Sequence, residues 1–276
     1  MKRILSFALV CALLLALGTA QALAAAPENK VIRCSTTTSV NDTGLLPFLQ
    51  PDFEAATGYE LIVVSNGSGA AIKLGESGDA DVLLVHSKAA EEEFVANGYG
   101  LERISFMYNY FVVVGPASDP AGVAQCENAA EAFAAIAGSE SLFVSRGDES
   151  GTHSAEKKIW AAAGIEPAEQ DAWYISAGAG MGASLNQASE REAYILSDKA
   201  TFLSMRDNLD LEILLERGDD MKNVYSLIAC NPEKNTGLNA EGAQAFIDYM
   251  TSEATLEKIA DFGKDAYGQA LFYAGE

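Results

Sequence analysis

The chain has 276 residues, 49% of them hydrophobic, and a formal net charge of −21, with 39 acidic side chains against 18 lysines and arginines. Charge of that sign and size argues against nucleic acid or an anionic membrane as partner. With only His86 and His153 as histidines and no cysteine pair at metal-ligand spacing, a zinc site is not expected either.

Met1-Lys2-Arg3 precede an apolar run from Ile4 to about Leu17, followed by small residues in small-x-small order, such as Ala22-Leu23-Ala24. A basic start, a short apolar stretch and such a site mark a secretory signal peptide, expected over 1–26; the run is short for a membrane span. Its loss takes Lys2 and Arg3, so the mature chain is two charges more negative. Of the four cysteines, Cys34, Cys126 and Cys230 lie beyond that segment. An exported chain permits one disulfide, expected as Cys126–Cys230 because both fall near the lobe crossings described below; three buried thiols are the alternative.

From there strands and helices alternate. A strand is predicted over 31–36. Leu45, Leu46, Leu49, Phe53 and Ala56 recur at helical spacing until Gly58. Strands follow over 60–65 and 81–86, with a short helix after Gly69 and another, capped by Ser87, reaching Ala96. A long apolar strand spans 106–115. Next come a helix over 128–137, a strand over 141–145 and a helix from Ser150 to Gly164. Further strands are predicted over 172–176, 194–196, 212–215 and 224–230, with helices over 182–192 and 199–208 and a closing helical stretch over 240–262. This alternation predicts an α/β fold with mainly parallel sheets flanked by helices. The strands at 106–115 and 224–230 bracket a middle segment, which predicts two lobes joined by two hinge strands: lobe one from 27–111 and 226–276, lobe two from 112–225.

Four strand-to-helix junctions are rich in glycine and hydroxyl residues: Ser35-Thr36-Thr37-Thr38-Ser39, Ser65-Asn66-Gly67-Ser68-Gly69, 145–152 and 177–184. Each can aim backbone N–H groups and the positive end of a helix at an anion, although such residues are also ordinary caps and turns. They fall two to each lobe, so all four can face one cleft. The third carries Arg146, whose planar fork suits an oxyanion; a salt bridge to Asp148 is its other possible use. Ser150, Ser154 and His153 have the residue types of a hydrolase, but on one helix the imidazole points away from those hydroxyls.

Taken together, Thr36-Thr37-Thr38-Ser39, Ser65-Asn66-Gly67-Ser68-Gly69, the stretch 78–86, the run from Ser145 through Arg146, Ser150 and Thr152 to His153, and Gly180-Met181-Gly182 resemble the tungstate-binding subunit of TupA-type ABC transporters, in order from about Val31 onward. The resemblance implies a two-lobed type II periplasmic-binding-protein fold, a periplasmic location, tungstate or molybdate as ligand, and a membrane permease and ATPase as partners. Carried over, it implies ligand donors at Thr36, Thr37, Thr38, Ser39, Ser68 and Gly69 from lobe one, and at Arg146, Ser150, Gly151 and Thr152 from lobe two. The expectation is a monomer that binds an oxyanion without chemistry, metal or cofactor. A phosphate- or sulfate-binding protein of the same fold is the nearest alternative, supported if Asp148 faces the ligand as an acceptor. A secreted hydrolase is the more distant one.

Overall fold

The computed structural model describes residues 29–275 except 169, 170 and 217. The expected signal segment lies outside the described residues. No helix among those described is long and apolar enough to cross a membrane.

In the first sheet, β1 (Val31–Thr37) lies between β2 (Glu60–Asn66) and β3 (Val82–Val85), parallel to both. Strand β9 (Lys222–Ala229) runs antiparallel to β3, β4 (Ile104–Gly115) antiparallel to β9, and the two-residue β10 (Tyr273–Ala274) closes the edge against β4. The helices around this sheet are α1 (Thr38–Asn41), α2 (Leu45–Thr57), α3 (Ser68–Ser77), α4 (Lys88–Ala96), α9 (Ala240–Thr251), α10 (Glu253–Asp261) and α11 (Lys264–Tyr267). The helix after 44 ends where expected: Gly58 takes φ 75°, a left-handed turn that glycine adopts without steric cost.

β4 has two sets of partners along its length. Ile104 to Tyr110 pair with β9, whereas Phe111 to Gly115 pair with β7 (Ile195–Asp198) and β8 (Glu212–Leu215). The second sheet continues through a bridge between Phe143 and Tyr194 to the parallel pair β5 (Phe143–Ser145) and β6 (Tyr174–Ser176). Around it lie α5 (Ala129–Gly138), α6 (Gly151–Ala162), α7 (Met181–Glu190) and α8 (Lys199–Met205). This is the expected two-lobed α/β fold, and each sheet contains a parallel group of three.

Alternation along β4 distributes its side chains to two cores. Val112 and Val114 join a large cluster with Ile32, Leu46, Tyr225 and Phe246, while Phe111 and Val113 join a second with Phe133, Phe143 and Trp160. A third cluster, with Phe94 and Ile228, lies on the outer face of the first sheet.

Three details differ from the sequence reading. Ser87 precedes α4 but makes no side-chain cap; its own N–H donates to the carboxylate of Glu91, four residues further on. The closing helical stretch breaks at Ser252, whose hydroxyl accepts from Thr255 N–H and starts α10. The Cys126–Cys230 disulfide is absent. Cys126 packs against the Phe133 cluster of the second lobe and Cys230 belongs to the Phe94 cluster of the first, so the two sulfurs serve different cores.

Candidate functional site

All four hydroxyl-rich loops lie at the carboxyl ends of strands, where helices begin, and the structure brings them together across the lobes. Ser39 Oγ is 3.2 Å from His86 Nε2. The His86 ring lies against Gly151: a Cβ there would fall 2.7 Å from Cε1, so only glycine fits while the lobes are closed. Gly151 N–H donates to Ser68 Oγ at 3.2 Å, and a Cβ at Gly67 would lie 3.6 Å from the Asp148 carbonyl oxygen. Arg146 Nε donates to Ala179 O at 2.9 Å, which ties the third loop to the fourth.

Arg146 is 2% exposed, at the end of β5. Its Nη2 donates to Asp148 Oδ2 at 2.5 Å, while Asp148 Oδ1 accepts from Ser150 N–H at 3.2 Å. Ligand donor and salt bridge were alternatives for Arg146; the bridge is formed here. Both carboxylate oxygens of Asp148 are thereby engaged within its own loop.

The hydroxyls divide by what they do. Thr36 donates to Leu84 O at 2.9 Å, a tie between strands. Thr37 and Ser39 are 3.1 Å apart. Asn223 Oδ1 lies 2.8 Å from His86 Nδ1, which fixes the proton on that nitrogen; Nε2 then accepts from Ser39, and Ser39 from Thr37. Ser68 and Ser150 use their oxygens as acceptors, from Gly151 and His153 N–H, and keep their protons to donate. Thr152 Oγ1 is fully buried and has no hydrogen-bond partner among the described residues. Thr38 is partly exposed at the start of α1, and Gly69 packs near the Glu149 carbonyl. The hydroxyl protons available to a ligand therefore cluster at the starts of α3 and α6, beside Arg146.

Sequence reasoning did not assign His86 to the site, nor the polar groups behind it. Asn223 Nδ2 donates to Asn109 Oδ1 and to Tyr225 Oη, at 2.8 and 2.9 Å, on the two strands that cross between lobes. Thr201 Oγ1 reaches Ser39 O at 3.5 Å and bonds Asp198, which caps α8. Burial pushes the Asp198 carboxyl up to about 6, and the Arg146 charge opposes that shift. Beneath the Arg146 loop, Glu156 accepts from Ser145 Oγ and Tyr174 Oη, at 3.0 and 2.9 Å, and burial pushes it up to about 7.

Ser39, His86 and Asn223 stand in the order of an acyl-transfer triad. Burial holds His86 down to about 4, because the imidazolium would be desolvated and would face Arg146. A general base must become that cation, and Asn223 brings no charge to stabilise it. The arrangement is suited to holding an anion: preorganised donors at two helix starts and one buried guanidinium, between lobes that close on each other.

A cleft of this kind, between two α/β lobes that share crossing strands, defines a substrate-binding protein. The PBP superfamily domain matches residues 24–254. The chain is 46% identical to the tungstate-binding protein TupA of Peptoclostridium acidaminophilum, over 99% of this chain and 98% of that one. Among solved structures it is similar to the tungstate ABC transporter protein of Geobacter sulfurreducens (43% identity, TM-score 0.78, 84% of this chain and 99% of that one). It is also similar to TupA of Desulfovibrio alaskensis (43%, TM-score 0.75, 89% and 98%). The chain belongs to the TupA family within the PBP superfamily.

Proposed function

We propose that this protein captures tungstate or molybdate in the periplasm and delivers it to the permease and ATPase of an ABC transporter, acting as a monomer. The lobes divide near Phe111 on the outward strand and near Tyr225, within β9, on the return. The ligand is held by Arg146 with Ser68, Ser150 and Thr152 and the backbone N–H groups at the starts of α1, α3 and α6; Thr36, Thr37 and Ser39 shape the floor.

The observation that carries the reading is the Thr152 hydroxyl, buried with no hydrogen-bond partner among the described residues, in the same loop as the buried Arg146. Leaving a buried polar group unmatched costs about 1–3 kcal/mol, and a bound oxyanion matches it. A fully deprotonated dianion suits a site of donors. Phosphate at neutral pH retains a proton that needs an acceptor, and Asp148 is already engaged by Arg146 and Ser150.

Melting curves of the mature protein with tungstate, molybdate, sulfate and phosphate test this. A ligand that binds only the folded state adds about 2.7 kcal/mol at a hundredfold excess over Kd. The two metal oxyanions should raise Tm far more than the others at equal concentration. A larger rise with phosphate would move the assignment to a phosphate-binding protein.

A further inference from the structure

A cavity of about 500 Å³ opens between the lobes, with His86 and Gly151 in its wall and none of Ser39, Ser68, Arg146 or Thr152 in its lining. Four of the chain's 18 lysines and arginines line it: Lys88, Arg103, Lys158 and Lys222. Arg103 is paired with the buried Glu91 at 2.6 Å. Lys88 is largely exposed and only loosely near Glu92, at 3.7 Å. Lys222 lies 4.2 Å above the Tyr108 ring, and Lys158 is exposed on α6. Asp220 is the acidic residue in the lining.

This concentration of cations answers a physical difficulty. A small dianion approaching a chain of net charge −21 is repelled at long range. Screening confines that field to about 8–10 Å at physiological salt, so a local positive cleft can still gather the anion once it is near. Walls of low dielectric focus the potential, an effect that raises association rates by about 10–10³-fold. Lys88 comes from the first lobe, Lys158 from the second and Lys222 from the crossing strand, so the cations line the cleft from both of its sides.

We propose that this cleft is a second, weaker anion subsite, an antechamber that gathers a tetrahedral inorganic dianion before it passes His86 and Gly151 to the donor loops. The proposal rests on the oxyanion-binding reading above. Closure of the His86 ring onto Gly151 separates the two compartments after capture.

Stopped-flow association of tungstate, followed by intrinsic fluorescence over a range of salt, tests the proposal. The variants are Lys88→Gln/Lys158→Gln/Lys222→Gln and a control, Lys30→Gln/Lys73→Gln/Lys264→Gln, which removes the same charge from exposed sites elsewhere. The cleft variant should associate about tenfold more slowly at low salt, with a flatter salt dependence and an unchanged dissociation rate. The control should stay within a small factor of the parent, and Lys→Arg at the three cleft positions should keep the parent rate, which separates charge from folding defects. Equal association rates in cleft and control variants overturn the antechamber while leaving the donor site intact. If the parent binds neither tungstate nor molybdate, the metal-oxyanion reading itself falls and the antechamber with it.

Discussion

Arg146 Nη2 and Asp148 Oδ2 lie 2.5 Å apart, so the cation of the donor loops is held by a carboxylate two residues further along. The pair shares one turn: Asp148 also takes the Ser150 N–H, and Gly147 between them has φ 60°. An arriving dianion meets a guanidinium already oriented by Asp148 and by Ala179 O.

Arg146→Lys should therefore lose most of the affinity. A lysine keeps the charge but cannot make the Ala179 bond and face both Asp148 and a ligand from one planar fork. Calorimetric titration with tungstate, run beside a melting curve, decides between roles: near-normal affinity in a destabilised protein would leave Arg146 as a bridge alone.

Thr152→Val should have opposite effects on the empty and loaded protein. The hydroxyl has no hydrogen-bond partner among the described residues, so replacing it with a methyl should leave Tm unchanged or raise it. The same change should weaken oxyanion binding by about 1–2 kcal/mol. Loss of stability without loss of affinity would place the hydroxyl in the packing.

Gly151→Ala should hold the lobes apart, since the new Cβ meets the His86 ring at 2.7 Å. Overpacking of this kind costs about 1–3 kcal/mol, here drawn from the closed state and hence from affinity. Adding His86→Ala should restore part of the loss. A double variant no better than Gly151→Ala would show that the backbone, and not the ring, is the obstacle.

Stability should carry a pH signature from Glu156 and an opposite one from His86. The folded pKa of Glu156 is raised from 4.5 to about 7, so its contribution is full below pH 4.5 and is lost as pH rises through 7. The span corresponds to about 3 kcal/mol. His86 is lowered from 6.5 to about 4, so its contribution is full above pH 6.5 and is lost as pH falls through 4. Urea unfolding of Glu156→Gln and the parent from pH 4 to 8 should give a difference that changes across 4.5–7. A constant difference would mean that Glu156 has the same pKa in the folded and unfolded states.

The rhythm of strand, glycine-hydroxyl loop and helix was legible because each junction announces itself locally, as at Ser150 and Gly58. The long β4 was legible from its apolar run. Which hydroxyls can donate was not. Thr36 looks like its neighbours in the sequence, but strand pairing turns its oxygen to Leu84 O, and only the register between β1 and β3 decides that. His86 was missed as a site residue because its significance depends on meeting Gly151, 65 positions away. The Cys126–Cys230 expectation failed for a related reason: nearness to the crossings says nothing about which core a sulfur enters.

β4 also determines what can be cut from this protein. Its second half lies between β7 and β8 and is a partner to both. A fragment beginning after Gly115 would carry those two strands without the one between them, leaving two unpaired edges where the intact chain has a continuous sheet. The middle lobe is thus an insertion that borrows its central strand from the host. It could be transplanted only together with the preceding residues of β4, which ties the evolution of either lobe to the other.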